Sequence, residues 1–485
     1  MRYPRRIGHW IGGLELAPPH KRLLEKHSPA DGTLLSSLAI GTSDEVATAV
    51  QAAALSFPAW SSTPVVKRGE ILRQAAKLME YNKQEIVGIV ALETGKSPKD
   101  AAGEAQAAIE LGYFMAGEGR RFYGQTTTSA TLNRFAYIMR QPVGICALIT
   151  SFNTPIANVA WKAFPALLCG NTAIMKPSEH TPYSAIWFAK ILEKAGLPSG
   201  VFSVVLGGND TGNRLVESSS VDLVGFTGSV ETGRKINRTA SEKLKRIRLE
   251  LGGKNPLIVC DDADLDWAAE CAVLSAFSNA GQRCASASRI IVFDSVYEKF
   301  KQKMCDRTGA LKIGPTDDDD LGPVISCAHQ QVILGQINDA RHKAKLLSGG
   351  PDFRHGKYPF GYYVPPTILE NVSPEDLISQ NEIFGPVTCL YGANGFQQAL
   401  ALANNTTYGL TGAIHTSNIH RIQEFINRYR AGVVSINGPT YGSEPHMPFG
   451  GLKNSGNGWR EPGTQALDAY SEWKTVYLKH DPNLV

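Results

Sequence analysis

The chain has 485 residues, 43% hydrophobic and 19% charged, with a formal net charge of +4. That length exceeds what one hydrophobic core serves and points to two or three domains. The weak net charge argues against a nucleic-acid or anionic-membrane partner, and no run approaches the ~20 apolar residues of a membrane span. The basic start, Met1 to Arg6, precedes no long apolar stretch and does not read as a signal peptide. Eight scattered cysteines without a Cys-x-x-Cys pair imply free thiols in a reducing, cytoplasmic compartment and no zinc site. The eleven histidines show no ligand spacing, so no metal is expected.

In chain order, the first 120 residues read as helices. Thr42-Ser43-Asp44-Glu45 is a capping box before an alanine-rich run to Ser56. Asn82 opens a further helix, with Glu85 three residues on and Gly95 to close it. Phe135 to Met139, after the threonine-rich stretch from Thr126, suggests a hairpin or extended arm outside the main sheet. Val143 to Thr150 is a continuous apolar run, as expected for a parallel strand covered on both faces. A helix from about Pro155 to Leu168, a strand Thr172 to Lys176, a helix Tyr183 to Ala195 and strands Phe202 to Leu206 and Asp222 to Phe226 follow. A second alternation of strands and helices runs from Pro256 to about Val434. The expectation is an α/β chain: a doubly wound cofactor-binding domain (1–120 and 142–250), a second α/β catalytic domain (251–440) and a small β oligomerisation arm and tail (121–141 and 465–485). The acidic run Asp317 to Asp320 reads as a solvated loop.

Three segments carry cofactor signals. Gly207 to Gly212 follows a strand but lacks the G-x-G-x-x-G spacing, and reads equally as a strand-to-helix turn. Gly225 to Gly233 follows a strand and opens a helix, whose first N–H groups suit a phosphate. Lys176-Pro177-Ser178-Glu179 closes another strand, at the edge where α/β sheets bind ligands. A carboxylate at Glu179 would repel a 2′-phosphate, which favours NAD over NADP while leaving NADP possible. Cys284, 34 positions after Glu250, offers a nucleophile and a base. Taken singly, each reads as a packed thiol and an ordinary surface acid.

Together these motifs resemble the aldehyde dehydrogenase superfamily. The matching pieces are Phe152 to Pro155, Gly170 to Thr172 with Lys176 to Glu179, Phe226 to Ser229, Glu250 to Lys254, Gly281 to Cys284, Asn381 to Pro386 and Pro448 to Gly456, in the family's order across residues 20–478. The resemblance implies that Cys284 is the nucleophile and Glu250 the general base. Asn153, with the Cys284 N–H, would form the oxyanion hole. Lys176 and Glu179 would hold the adenosine ribose, Gly228 and Ser229 the pyrophosphate, and Glu382 and Phe384 the nicotinamide ribose and ring. Ile149, Phe152, Ser178, Thr232 and Leu251 complete the implied cofactor set. Ser151 stands where many members carry proline.

The implied substrate tunnel reads Thr154, Ala157, Asn158, Trp161, Ser278, Arg283, Ala285, Tyr441, Ser443 and Phe449. Its polar members suggest a small polar aldehyde or a semialdehyde, because an unpaired buried polar group costs roughly 1–3 kcal/mol. Arg283 either faces a distal carboxylate or points into the scaffold. The implied reaction is NAD(P)-dependent oxidation to a carboxylic acid through a thioester on Cys284, in a homodimer or homotetramer. A CoA-acylating enzyme and a non-catalytic protein reusing the fold are the alternatives; the acid at Glu250 and the filled catalytic set speak against them.

Overall fold

The computed structural model describes residues 3–17, 23–350 and 359–484; Met1 and Arg2 of the basic start and the last residue of the 465–485 tail lie outside them. The first large sheet has the spatial order Arg246–Glu250, Leu223–Thr227, Ile145–Ile149, Thr172–Lys176, Phe202–Val204, His9–Ile11, Leu14–Leu16. Its first five strands are parallel. All five residues of Ile145–Ile149 are buried. Cys146 and Leu148 enter one core, while Ile145, Ala147 and Ile149 enter the other. This period-2 alternation between two dry faces is why the strand reads as a continuous apolar run. Helices Pro155–Leu168 and Pro182–Lys194 cover the first face, and Ser43–Ser62 and Val230–Ser241 the second.

The chain leaves Ile145–Ile149 toward one edge of the sheet, then returns to its other side at Leu223–Thr227. The loops after these two neighbours therefore diverge and open a crevice at their carboxyl ends. The second large sheet is ordered Lys345–Ser348, Thr367–Glu370, Val387–Ala393, Ala287–Phe293, Asn255–Val259, Thr411–His415, Val433–Ile436. Leu257 and Val259 pack under helix Leu265–Phe277, and Ile258 under helices Cys327–Arg341 and Phe396–Asn404. The fold is thus α/β, with two helix-covered sheets of mainly parallel strands.

The amino-terminal segment corrects the sequence expectation of helices throughout residues 1–120. Arg6–Ile7, Leu23–His27 and Leu34–Ala39 form a three-stranded sheet, and His9–Ile11 and Leu14–Leu16 extend the first large sheet as a hairpin. Strands of two to six residues are too short to display a period. Beyond Ala39 the helices are as expected. The Thr42 N–H donates to Glu45 Oε2 at 2.8 Å in the capping box. Helix Lys83–Thr94 ends at Gly95, whose φ of 74° closes it. Gly207 to Gly212 is a strand-to-helix turn, with Gly208 capping helix Asn209–Glu217. In the acidic loop, Asp317 accepts the Lys99 N–H and ties the loop to the start of helix Pro98–Glu118, while Asp320 accepts the Lys312 N–H within the loop itself, so these carboxylates hold structure as well as meeting solvent.

The arm and the tail find each other. Ser471–Lys479 pairs antiparallel with Arg134–Pro142 over nine residues, and Gln125–Thr127 adds a third strand. Neither strand needs a partner in the large sheets, and Ser471–Lys479 is left as an edge.

Candidate active site

Parallel register lines up the ends of four strands. Glu250 sits beside Thr227, Phe226 beside Ile149, and Ile149 beside Lys176. One sheet edge thereby presents an acid, the Gly228–Ser229 turn, an apolar residue and an amine in a row. Ser229 caps helix Val230–Ser241, its Oγ accepting the Thr232 N–H at 3.3 Å. Lys176 Nζ lies 3.6 Å from Glu179 Oε2; the amine is buried and the acid is partly open. Ser178 Oγ is engaged by the His180 N–H.

The cysteine loop is built by backbone geometry. Helix Leu265–Phe277 stops at Ser278, and Asn279, Ala280 and Gly281 all take left-handed conformations (φ 54°, 53° and 67°). At Gly281 a Cβ would come within 2.1 Å of the Gly385 carbonyl oxygen, so only glycine fits that crossing. Asn255 Nδ2 then donates to the carbonyls of Cys284 (2.7 Å) and Ser286 (2.9 Å), and Thr440 Oγ1 to that of Ala285 (2.6 Å). These bonds hold Cys284 at the edge of the second large sheet, facing the first. Asn279 Nδ2 donates to the Asn153 carbonyl at 3.2 Å and ties the cysteine loop to the loop before helix Pro155–Leu168.

A cavity of about 700 Å³ opens between the two sheets. Cys284, Glu250 and Asn153 share its wall. Phe152, Gly228, Ser229, Leu251, Glu382 and Phe384 line it too. Ile149, Lys176, Ser178, Glu179 and Thr232 lie beyond that wall, along the sheet edge and the helix start. Of the expected tunnel residues, Thr154, Ala157, Asn158, Trp161, Arg283, Ala285, Tyr441, Ser443 and Phe449 line the cavity. Ser278 does not; it stands behind Arg283 and accepts its Nε–H at 3.3 Å. Arg283 lines the cavity, with its guanidinium 4.8 Å over the Tyr441 ring and its Nε–H on Ser278.

The acids here are strongly perturbed. Glu250 is 7% exposed, and among the described residues neither carboxyl oxygen has a hydrogen-bond partner. Burial, reinforced by the nearby charge of Glu461, holds its carboxyl well above the usual range. Burial pushes the Cys284 thiol up to about 12, with Glu382 and Glu250 adding to the shift and Arg283 opposing it. Glu382 is raised by burial to about 7, although the Gly253 N–H and Lys254 favour its charged form. The Phe152 and Phe384 rings meet edge to face at 5.6 Å, and His329 Nε2 contacts the Phe384 carbonyl oxygen at 2.8 Å.

Several supporting groups were not apparent from the sequence. Lys96 Nζ bonds both Glu104 Oε2 (2.7 Å) and the Asn153 carbonyl (2.9 Å). Glu104 Oε1 accepts from the Ile156 N–H at the start of helix Pro155–Leu168. Lys162, in the middle of that buried helix, reaches both Glu461 oxygens at 3.1 Å, and Arg248 joins the same acid at 3.1 Å. A lysine inside an apolar helical run was the one sequence signal for this cluster, since a buried amine needs a partner.

A dinucleotide fits this site on the structure's own terms. A capped helix start that borders the cavity holding Cys284, a buried amine near an acid farther along the same sheet edge, and a crevice at the sheet's switch point are the features that hold a dinucleotide. A family model described as the aldehyde dehydrogenase family matches residues 17–476. A 2,5-dioxopentanoate dehydrogenase of Saccharolobus solfataricus is 40% identical, covering 93% of this chain and 95% of that protein. An alpha-ketoglutaric semialdehyde dehydrogenase of Bacillus subtilis is 38% identical, covering 94% and 95%. The crystal structure of betaine aldehyde dehydrogenase from Staphylococcus aureus in complex with NAD+ matches with a TM-score of 0.95 at 32% identity, covering 99% of this chain and 96% of that one. Motifs, fold and site geometry agree with these matches, and the chain belongs to the aldehyde dehydrogenase family.

Proposed function

We propose that this protein oxidises a small polar aldehyde to its carboxylic acid with NAD, through a covalent intermediate on Cys284. The observation that carries the reading is the single cavity wall shared by Cys284, Glu250 and Asn153. The Cys284 sulfur, once deprotonated, adds to the aldehyde carbon. The Asn153 side-chain amide and the Cys284 N–H hold the resulting oxyanion; one such donor typically supplies about 3 kcal/mol. The dinucleotide, when bound, accepts the hydride, and Cys284 is left as a thioester. Glu250 takes a proton from water, the hydroxide adds to the thioester carbon, and the acid leaves as the thiol is restored. Ile149, Phe152, Lys176, Ser178, Glu179, Gly228, Ser229, Thr232, Leu251, Glu382 and Phe384 would hold the cofactor. Glu179, partly open beside Lys176, favours NAD over NADP. The division into cofactor-binding, catalytic and arm regions at 1–120 with 142–250, 251–440, and 121–141 with 465–485 follows the same reading.

A cation at Arg283, among the residues that line the cavity, supports a semialdehyde with a distal carboxylate, in accord with the names of the two relatives. Arg283→Leu is expected to lower kcat/KM for ketoglutaric and succinic semialdehydes by about 10- to 100-fold, the value of a charge-assisted hydrogen bond. Glycolaldehyde should change only a few-fold. A steady-state panel run with NAD and NADP checks substrate and cofactor together. Preference for hexanal or benzaldehyde would refute the substrate reading, and preference for NADP the cofactor reading.

Among the described residues no helix is long and apolar enough to cross a membrane. The eight cysteines are all free thiols, in keeping with a reducing, cytoplasmic setting. The exposed edge Ser471–Lys479, with Phe135, Met139, Trp473 and Tyr477 all at least 44% exposed, supports a homodimer or homotetramer that covers it. Light scattering at micromolar concentration should show such an assembly; a monomer would contradict it.

A further inference from the structure

Asn158 was expected to meet substrate; it lines the cavity, and the NH2 of its amide is engaged within the protein. It occupies the first turn of helix Pro155–Leu168. Its Nδ2 donates to the Ser151 carbonyl at 3.3 Å and to Asn153 Oδ1 at 3.2 Å. The Ser151 carbonyl can only accept, so the Asn158 NH2 must face this side. Facing that NH2, Asn153 must present its side-chain oxygen. The Asn153 backbone is fixed independently, because its carbonyl accepts from Lys96 Nζ at 2.9 Å and from Asn279 Nδ2 at 3.2 Å.

We infer that Asn158 is a positioning residue: it locks the Asn153 amide with the oxygen turned inward and the nitrogen available to the reacting carbonyl oxygen. The two orientations of an asparagine amide have nearly the same shape, so packing alone selects poorly between them. The Ser151 carbonyl supplies the selection, and Asn158 transmits it. An amide turned the other way would point an oxygen at the developing oxyanion and oppose it. This inference rests on Asn153 acting as an oxyanion donor.

A double-mutant cycle tests it. Asn158→Leu and Asn158→Asp are made in the native chain and in Asn153→Ala, with kcat, KM and thermal midpoint measured for each. Asn153→Ala is expected to lower kcat by about 10²–10³-fold, the loss of one oxyanion donor. Asn158→Leu should lower kcat about 10-fold with KM little changed, a fraction of that full donor effect. Asn158→Asp should cost more, since a carboxylate accepts from the Asn153 NH2 and turns it away, and its near-identical size keeps the fold. In the Asn153→Ala background neither Asn158 change should move kcat more than about 2-fold, because coupled residues are non-additive. Equal losses in both backgrounds, or effects confined to KM, would overturn the positioning role and leave Asn153's role standing. Full kcat in Asn153→Ala would overturn both.

Discussion

Cys284→Ala is expected to abolish aldehyde-dependent NADH formation, by at least about 10⁴-fold, as loss of an essential nucleophile does. Folding and cofactor binding should survive. The Cys284 carbonyl, not its side chain, is what Asn255 holds, so the loop loses no hydrogen bond to that residue. The other cysteines cannot substitute. Cys146, Cys169, Cys260, Cys271 and Cys389 are buried, and none of the remaining seven thiols lines the cavity. Cofactor binding followed by fluorescence, alongside the activity assay, separates loss of chemistry from loss of structure. Substantial turnover in Cys284→Ala would remove the nucleophile assignment.

Glu250→Gln should separate the two halves of the reaction. Thioester formation needs the thiol and the oxyanion donors; hydrolysis needs a base. A burst of NADH equal to the enzyme present, then a steady state slower by about 10²–10⁴-fold, is expected from loss of a general base. The pH dependence gives a second signature. Burial and the charge of Glu461 raise the Glu250 carboxyl, so the proton is retained to higher pH than in an ordinary carboxylate. The base form is lost as pH falls through that raised value. Steady-state hydrolysis should therefore climb as pH rises through that raised value, above the range of an ordinary carboxylate, and the climb should be absent in Glu250→Gln. The substitution should not destabilise the fold, because neither carboxyl oxygen has a hydrogen bond to lose among the described residues. Equal loss of burst and steady state would instead place Glu250 in thiol activation.

Much of this architecture was legible in the sequence. Where a strand is dry on both faces or a helix carries its own caps, local pattern and tertiary environment agree. Helix Pro155–Leu168 and strand Thr172–Lys176 accordingly fall at their expected limits. The strands before Ala39 were missed because each is short and stabilised from outside. Gly12 and Gly13, both at positive φ, were the available sign of the first hairpin. The pairing of Arg134–Pro142 with Ser471–Lys479 joins segments more than 300 residues apart, which no local pattern encodes. The site shows the same division. Motifs located Cys284, Glu250 and Asn153, but not the geometry around them. Ser278 is carried behind Arg283 by the left-handed turn at Asn279, and Asn158 is engaged by Asn153. The Lys96–Glu104 and Lys162–Glu461 pairs depend on burial and long-range proximity, which a single sequence does not report.

The covalent intermediate on Cys284 is the claim on which everything else turns, and Glu250→Gln allows it to be weighed. The variant is mixed with NAD and ketoglutaric semialdehyde, quenched in acid after the burst, digested and examined by mass spectrometry. An acyl adduct, stoichiometric with the NADH formed, is expected on the peptide containing Cys284 and on no other. NADH released without an adduct, or an adduct on a different residue, would contradict the mechanism.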